Sequence, residues 1–217
     1  MRSNFDRLNV FGNIIPKNND ISPLLDIEQQ YNIQLSEGFK IFYEYYGDNN
    51  KIKNGYVHLY SMNELKVKDG KLIFGELFKM PPEFIVSIDN LIVDTAEKND
   101  YYKLTQNSTV LLPEETFNHK RSVTLDLYML FAVAYEIVMS MPIKLKYDIK
   151  SLDLSGTSKN KANFEKFITN ISSDFSALNI YLFQKNILVI YDKGKLTFGL
   201  KNQEELNEVR KYINLYL

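Results

Sequence analysis

Residues 27–50 read IEQQYNIQLSEGFKIFYEYYGDNN. The stretch crowds tyrosine and phenylalanine between charged residues and holds no Cys, His or Trp. Its periodicity decides how the chain begins to fold. Leu24, Ile27 and Tyr31 recur at helical spacing behind Ser22-Pro23. That pair can open a helix, because a serine oxygen accepts an orphan amide and a proline at the first position has none to satisfy. A second helix is expected after Ser36, with Phe39, Phe42, Tyr43 and Tyr46 at i, i+3, i+4 and i+7. Gly47 would close it in the left-handed conformation that suits glycine. The four aromatics share one helical face and are expected to build core, whereas Glu44, Tyr45 and Asp48 lie off that face.

Downstream the pattern changes to short strands: Tyr56–Tyr60, Leu72–Phe74, Phe84–Ile88, Leu91–Asp94 and Thr109–Leu112, broken at Asp69-Gly70, Pro81-Pro82 and Asp89-Asn90. From Val123 to Met141 the chain is apolar on nearly all sides, with Asp126 and Glu136 its only charges, which describes a buried helix packed across a sheet. After Met141-Pro142 a second pattern predicts a strand at Ile149–Leu154, a helix near Ala162–Ile171, strands at Ile180–Phe183, Ile187–Tyr191 and Leu196–Phe198, and a helix from Gln203 to Leu215. Lys185-Asn186 and Lys193-Gly194 read as tight turns of a meander. The expectation is an α+β chain: residues 1–141 with a central antiparallel sheet and packed helices, then a small appended α+β module over 142–217. The boundary is placed between Pro142 and Lys150.

Composition narrows the function classes. At 217 residues and 45% hydrophobic content, the chain can bury one large core or two modest ones. Residues 1–141 hold 14 basic and 19 acidic side chains, a net of −5, and residues 142–217 hold 12 and 8, a net of +4. Electrostatic attraction is therefore regional. Without cysteine there is no disulfide, no thiolate nucleophile and no cysteine-bearing zinc site. The opening MRSNFDRLNVFGNIIPKNND lacks the apolar core of a secretory signal. The longest wholly apolar run, Leu127 to Tyr135, falls short of the roughly 20 residues of a membrane span. These features fit a cytoplasmic protein with no membrane partner.

Catalytic signatures are sparse. His58 and His119 lie outside any metal-ligand spacing, and no GxSxG or phosphate-cradling GxxxxGK[ST] occurs. Ser155-Gly156-Thr157-Ser158 is a polar loop that reads as a plain connection. Glu114-Glu115 and Glu204-Glu205 read as first-turn carboxylates favoured by a helix dipole. The lysines of the second half are dispersed and its aromatics alternate as a core would have them, so nucleic acid is not the expected partner. No cofactor and no metal are expected.

The ordered features Glu28, Ile33, Leu35, Phe39, Phe42, Tyr43 and Gly47 resemble the opening signature of the SUKH superfamily. His58-Leu59-Tyr60, Asn63-Glu64-Leu65, Leu72-Ile73-Phe74-Gly75 and the long helix from Val123 follow in the order of that pattern, over about residues 20–141. Ser36 stands where proline commonly follows the leucine, and the tryptophan often found in such proteins is absent. The resemblance implies an α+β fold and a non-enzymatic binding role. Many bacterial members are immunity proteins that block a cognate toxin, frequently a nuclease, and others are regulatory interaction proteins.

On that reading the partner is a cognate protein toxin of basic character, met by exposed tyrosine and carboxylates. The partner-binding candidates are Glu44, Tyr45, Asp48, Asn49 and Asn50 at the end of the second helix, with Asp100 and Tyr101 in a loop. The competing account of these residues is a solvated helix end. The alternative function is a regulatory or scaffold protein that binds a cellular partner without neutralising anything. An enzyme ranks third and would need polar groups converging in a pocket.

Overall fold

A computed structural model describes residues 2–11, 14–53, 55, 57–68, 71–78, 88–94, 102–103, 109–111, 122–148, 168–171, 178–192 and 195–216. The chain forms two compact units, Met1–Glu136 and Ile137–Leu217. Its class is α+β, as the sequence pattern predicts.

The first unit opens with α1 (Arg2–Asn9), α2 (Ser22–Tyr31), β1 (Ile33–Gln34), α3 (Glu37–Tyr46) and α4 (Asn50–Lys53). Next come β2 (Val57–Leu59), a 3-10 turn at Met62–Glu64, β3 (Lys66–Lys68), β4 (Lys71–Phe78), β5 (Ile88–Asp94), β6 (Tyr102–Lys103), β7 (Thr109–Leu111) and β8 (Ser122–Thr124). The helix α5 (Leu125–Ser140) runs directly out of β8, and the division between the units falls inside it. Strands pair antiparallel in the order β2-β4-β5-β7-β8, and β3 lies along the edge of β4 that β2 also uses. A register shift between Ile73 and Gly75 sets Phe74 out of step at a point where its ring is buried.

The core of this unit is strung on aromatic rings. Phe39, Phe42, Tyr43 and Tyr46 are all buried, as their helical spacing predicts. Ring centroids run from Phe5 to Tyr46 at 5.6 Å, then through Phe42 and Tyr43 to Phe39. From there they reach Phe74 of β4 at 6.2 Å and Tyr128 of α5 at 5.8 Å. Burying each phenylalanine side chain stabilises by about 1.5–3 kcal/mol, so α3 is held by what it packs against more than by helix propensity. The Tyr43 hydroxyl meets its own requirement by donating to the Tyr60 carbonyl at 2.9 Å.

The second unit contains β9 (Ile143–Asp148), β10 (Ile168–Asn170), β11 (Leu178–Phe183), β12 (Ile187–Asp192), β13 (Lys195–Leu200) and α6 (Gln203–Tyr216). Its five strands pair antiparallel in the order β10-β11-β12-β13-β9. Tyr181, Phe183, Val189, Phe198 and Leu200 on one sheet face join Leu206, Val209, Tyr212 and Ile213 of α6 in a single core. Ile180, Leu188 and Ile190 face the other way and are also buried, which explains why β12 reads as a continuous apolar run. On that second face a Cβ at Gly199 would sit 3.0 Å from the Val138 backbone, so glycine permits the approach.

Several local expectations are corrected. Ser22 is the first residue inside α2 and does not cap it; Asp20 instead accepts from the Ser22 amide at 2.9 Å and the Ser22 hydroxyl at 2.6 Å. Gly47 is right-handed (φ −57°), and the left-handed residue that closes a helix is Asn32 (φ 52°, ψ 46°) at the end of α2. Asn32 tolerates this because its short polar side chain is among the few suited to it. Asp89-Asn90 is no break, since β5 runs through both against β4. The stretch between Pro142 and Lys150 carries β9, whose lysines alternate with half-buried Ile143, Leu145 and Tyr147 at the two-residue period of a strand. Residues 168–170, expected in a helix, form β10 beside β11. The expected strand at 149–154, the helix residues 162–167, the strand residues 84–87 and the turn Lys193-Gly194 lie outside the described residues.

Candidate functional site

Seven residues of α2, α3 and their link carry the sequence signature, and the structure uses them for construction. Ile33, Leu35, Phe39, Phe42 and Tyr43 are buried. Glu28 reaches forward from α2, where Oε1 accepts from the Leu35 amide at 2.7 Å and pairs with the Lys40 ammonium at 2.9 Å. One carboxylate thereby fixes the entry to α3 from both sides. Gly47 leaves room for Tyr43, whose Cδ1 would lie 2.5 Å from a Cβ there.

The N-terminus of α3 meets a second carboxylate, this one buried, on Asp126. The Ser36 oxygen accepts from the Phe39 amide at 3.3 Å as the helix cap, and its hydroxyl donates to Asp126 Oδ1 at 2.9 Å. Gly38 packs so closely that a Cβ would strike the Asp126 carboxyl. Burial pushes that carboxyl above its ordinary range, opposed by the Ser36 hydrogen bond.

At the opposite end of α3 lie the residues read from sequence as partner-binding. Glu44 and Tyr45 are half-buried, Asp48 and Asn50 are exposed, and Asn49 is half-buried. They fall in two runs, 44–45 and 48–50, separated by buried Tyr46 and Gly47. Asn49 has a local task, since its Oδ1 accepts from the Lys51 amide at 3.0 Å and its carbonyl from the Ile52 amide at 3.0 Å, starting α4. The Tyr45 ring stands edge-on to Tyr46 at 6.4 Å. Asp100 and Tyr101 lie outside the described residues. The two residues after them form β6, which pairs in parallel with β1 through Ile33↔Tyr102 and Gln34↔Lys103. That anchor is next to the beginning of α3, roughly 15 Å of helix away from Glu44 to Asn50.

Sequence reasoning missed the segment that finishes this helix end. The Lys17 amide donates to the Tyr45 carbonyl at 2.8 Å, and the Asn19 amide to the Glu44 carbonyl at 2.8 Å. The Asn19 side-chain amide donates to the Tyr43 carbonyl at 2.9 Å. A strap from far upstream thus satisfies the Glu44 and Tyr45 carbonyls that the helix end leaves orphaned, and gives a second donor to the Tyr43 carbonyl, which already accepts from the Gly47 amide at 3.2 Å. Asn9 accepts from the Tyr46 hydroxyl, which anchors α1 beside the same helix end. Val10 and Ile15, each 70% exposed, are the most exposed large apolar side chains among the described residues and belong to this segment. The Asp20 carboxyl is held below its ordinary range by the Ser22 hydroxyl and amide.

The helix end carries the half-buried Tyr45 ring and the Glu44 and Asp48 carboxylates. Of the other candidates, His58 lies in β2 opposite Glu76 of β4. Glu205, read as a first-turn carboxylate, accepts from the Lys201 amide at 2.6 Å at the head of α6. His119, Glu114-Glu115 and the loop 155–158 lie outside the described residues. Among the described residues no group of three or more His, Cys, Asp or Glu is placed to hold a metal ion, and no helix is long and apolar enough to cross a membrane.

No protein family, curated protein or solved structure matches this chain.

Proposed function

We propose that this chain is a non-enzymatic, cytoplasmic binding protein that neutralises a cognate bacterial toxin by stoichiometric association. The observation that carries this reading is the division of labour on α3. Its aromatic face is consumed by the core, while Glu44, Tyr45, Asp48 and Asn50 stand at the helix end with some or all of their surface exposed, in a unit of net charge −5. Carboxylates around a rigid aromatic suit a cationic partner, because they steer encounter and penalise acidic competitors. A nuclease with a basic substrate channel is the class of toxin that such a surface would occlude.

The test is titration of the purified chain against the toxin domain encoded beside it, with protection scored in cells. One-to-one binding is expected, weakened at least tenfold by combining Glu44→Lys with Asp48→Lys, with the melting temperature little changed. Undiminished binding by that variant would move the interface elsewhere. Absence of binding and protection, with housekeeping proteins recovered on affinity purification, would replace this reading with a regulatory or scaffold role.

A further inference from the structure

The strand β9 ends the five-stranded sheet of the second unit, and among the described residues it pairs along one edge only, with β13. Its side chains split into two rows. Ile143, Leu145 and Tyr147 pack against the core shared with α6 yet stay half-buried, while Lys144, Lys146 and Asp148 are exposed on the other face. Lysines on an edge strand ordinarily discourage pairing, but this row ends in a carboxylate. We infer that β9 pairs antiparallel with β9 of a second copy of this chain, about a two-fold axis at Lys146, joining two five-stranded sheets into one. In that register Lys144 of each copy lies opposite Asp148 of the other, and Leu145 lies opposite Tyr147, so the half-exposed apolar row is covered by its own counterpart.

The charges select this register. A shift by one residue would set the charged row against the apolar row. A shift by two in one direction sets Lys144 against Lys146 twice over, and in the other direction it overlaps only residues 146–148 of β9, against 144–148 here. One like-charged contact remains, between Lys146 and its counterpart on the axis. Asp148 also faces Lys195 across its own sheet, and Lys144 Nζ donates to the Met141 carbonyl at 3.1 Å. The two oxygens of a carboxylate and the three hydrogens of an ammonium allow the added pair. Such a strand pair is a small interface beside the roughly 800 Å² per partner of a standard complex, so the association is weak and concentration-dependent.

Sedimentation equilibrium of the full chain, in a series reaching high micromolar concentration, tests this, with thermal melts to show that each variant is folded. The parent is expected to pass from monomer to dimer. Lys144→Glu and Asp148→Lys each set like charges together and should raise the dissociation constant at least tenfold. Mixing the two single variants in equal amounts makes both cross-copy pairs opposite in charge again and should restore the dimer, as should the double variant. A parent that stays monomeric throughout overturns the proposal and leaves this edge to a strand from another protein. A dimer that the single variants leave unchanged, or that mixing them fails to restore, overturns it as well.

Discussion

Ser36 and Asp126, 90 positions apart, are joined by a buried hydrogen bond of 2.9 Å that ties the first turn of α3 to the first turn of α5. The carboxyl is buried and raised above its ordinary value of 3.8. A carboxyl raised by folding binds its proton more tightly in the folded state, so stability is greatest below 3.8 for this group and declines as pH rises through the folded value. Asp126→Asn abolishes the titration and keeps an acceptor for Ser36. Urea midpoints measured across this range and up to neutrality should show the variant more stable than the parent at neutral pH, with the gap closing on acidification. A gap independent of pH would mean that Asp126 does not carry the effect.

Ser36→Ala should cost about 2–4 kcal/mol, combining loss of a helix cap with removal of a buried carboxylate's donor. The two losses can be separated by a double-mutant cycle with Asp126→Asn. Since the neutral amide suffers less from a missing donor, Ser36→Ala should cost less in that background. Equal costs in both backgrounds would leave the cap as the whole effect.

Gly38→Ala and Gly47→Ala test sterics against propensity. Alanine is favoured over glycine inside helices by about 1 kcal/mol. Here the added methyl meets the Asp126 carboxyl at Gly38 and the Tyr43 ring and carbonyl at Gly47. Overpacking of about 1–3 kcal/mol should prevail, making both variants less stable in thermal melts. A stabilised variant at either site would show that the neighbour yields easily.

Lys185→Gly should have the opposite sign. Gln184 and Lys185 carry φ of 47° and 69° in the turn between β11 and β12, where the Asn186 amide bonds the Phe183 carbonyl at 3.2 Å. Left-handed backbone costs an ordinary residue about 1–2 kcal/mol and glycine almost nothing. A gain of about 1 kcal/mol in the denaturation midpoint is expected, offset in part by the freer unfolded chain. No gain would indicate that the Lys185 side chain makes a compensating contact.

The parts of this fold legible in the sequence are those written in a strong period. Phe39, Phe42, Tyr43 and Tyr46 declared a buried helical face, and the apolar run from Leu125 to Val138 declared a helix buried all round. Helix ends were less legible, because a cap depends on backbone conformation that several residue types can adopt. Gly47 was read as a left-handed stop when its role is to make room for Tyr43, and Asn32 supplies the stop instead. Ser61 and Glu64 form a capping box whose spacing was readable, and Asn202 and Glu205 bond each other's neighbourhood in similar fashion before α6. The strap of Lys17 and Asn19 left no periodic trace, since two of its three bonds are made by backbone amides that every residue but proline possesses and the third by a single asparagine side chain.

The end of α3 is a composite of segments 17–20 and 43–50, stitched by two main-chain bonds and one from the Asn19 side chain. A synthetic peptide copying residues 44–50 would carry the same side chains with their carbonyls turned to water and no neighbouring strand. Whatever reads this surface reads a conformational epitope, and an antibody raised against it should lose its target once the chain is denatured.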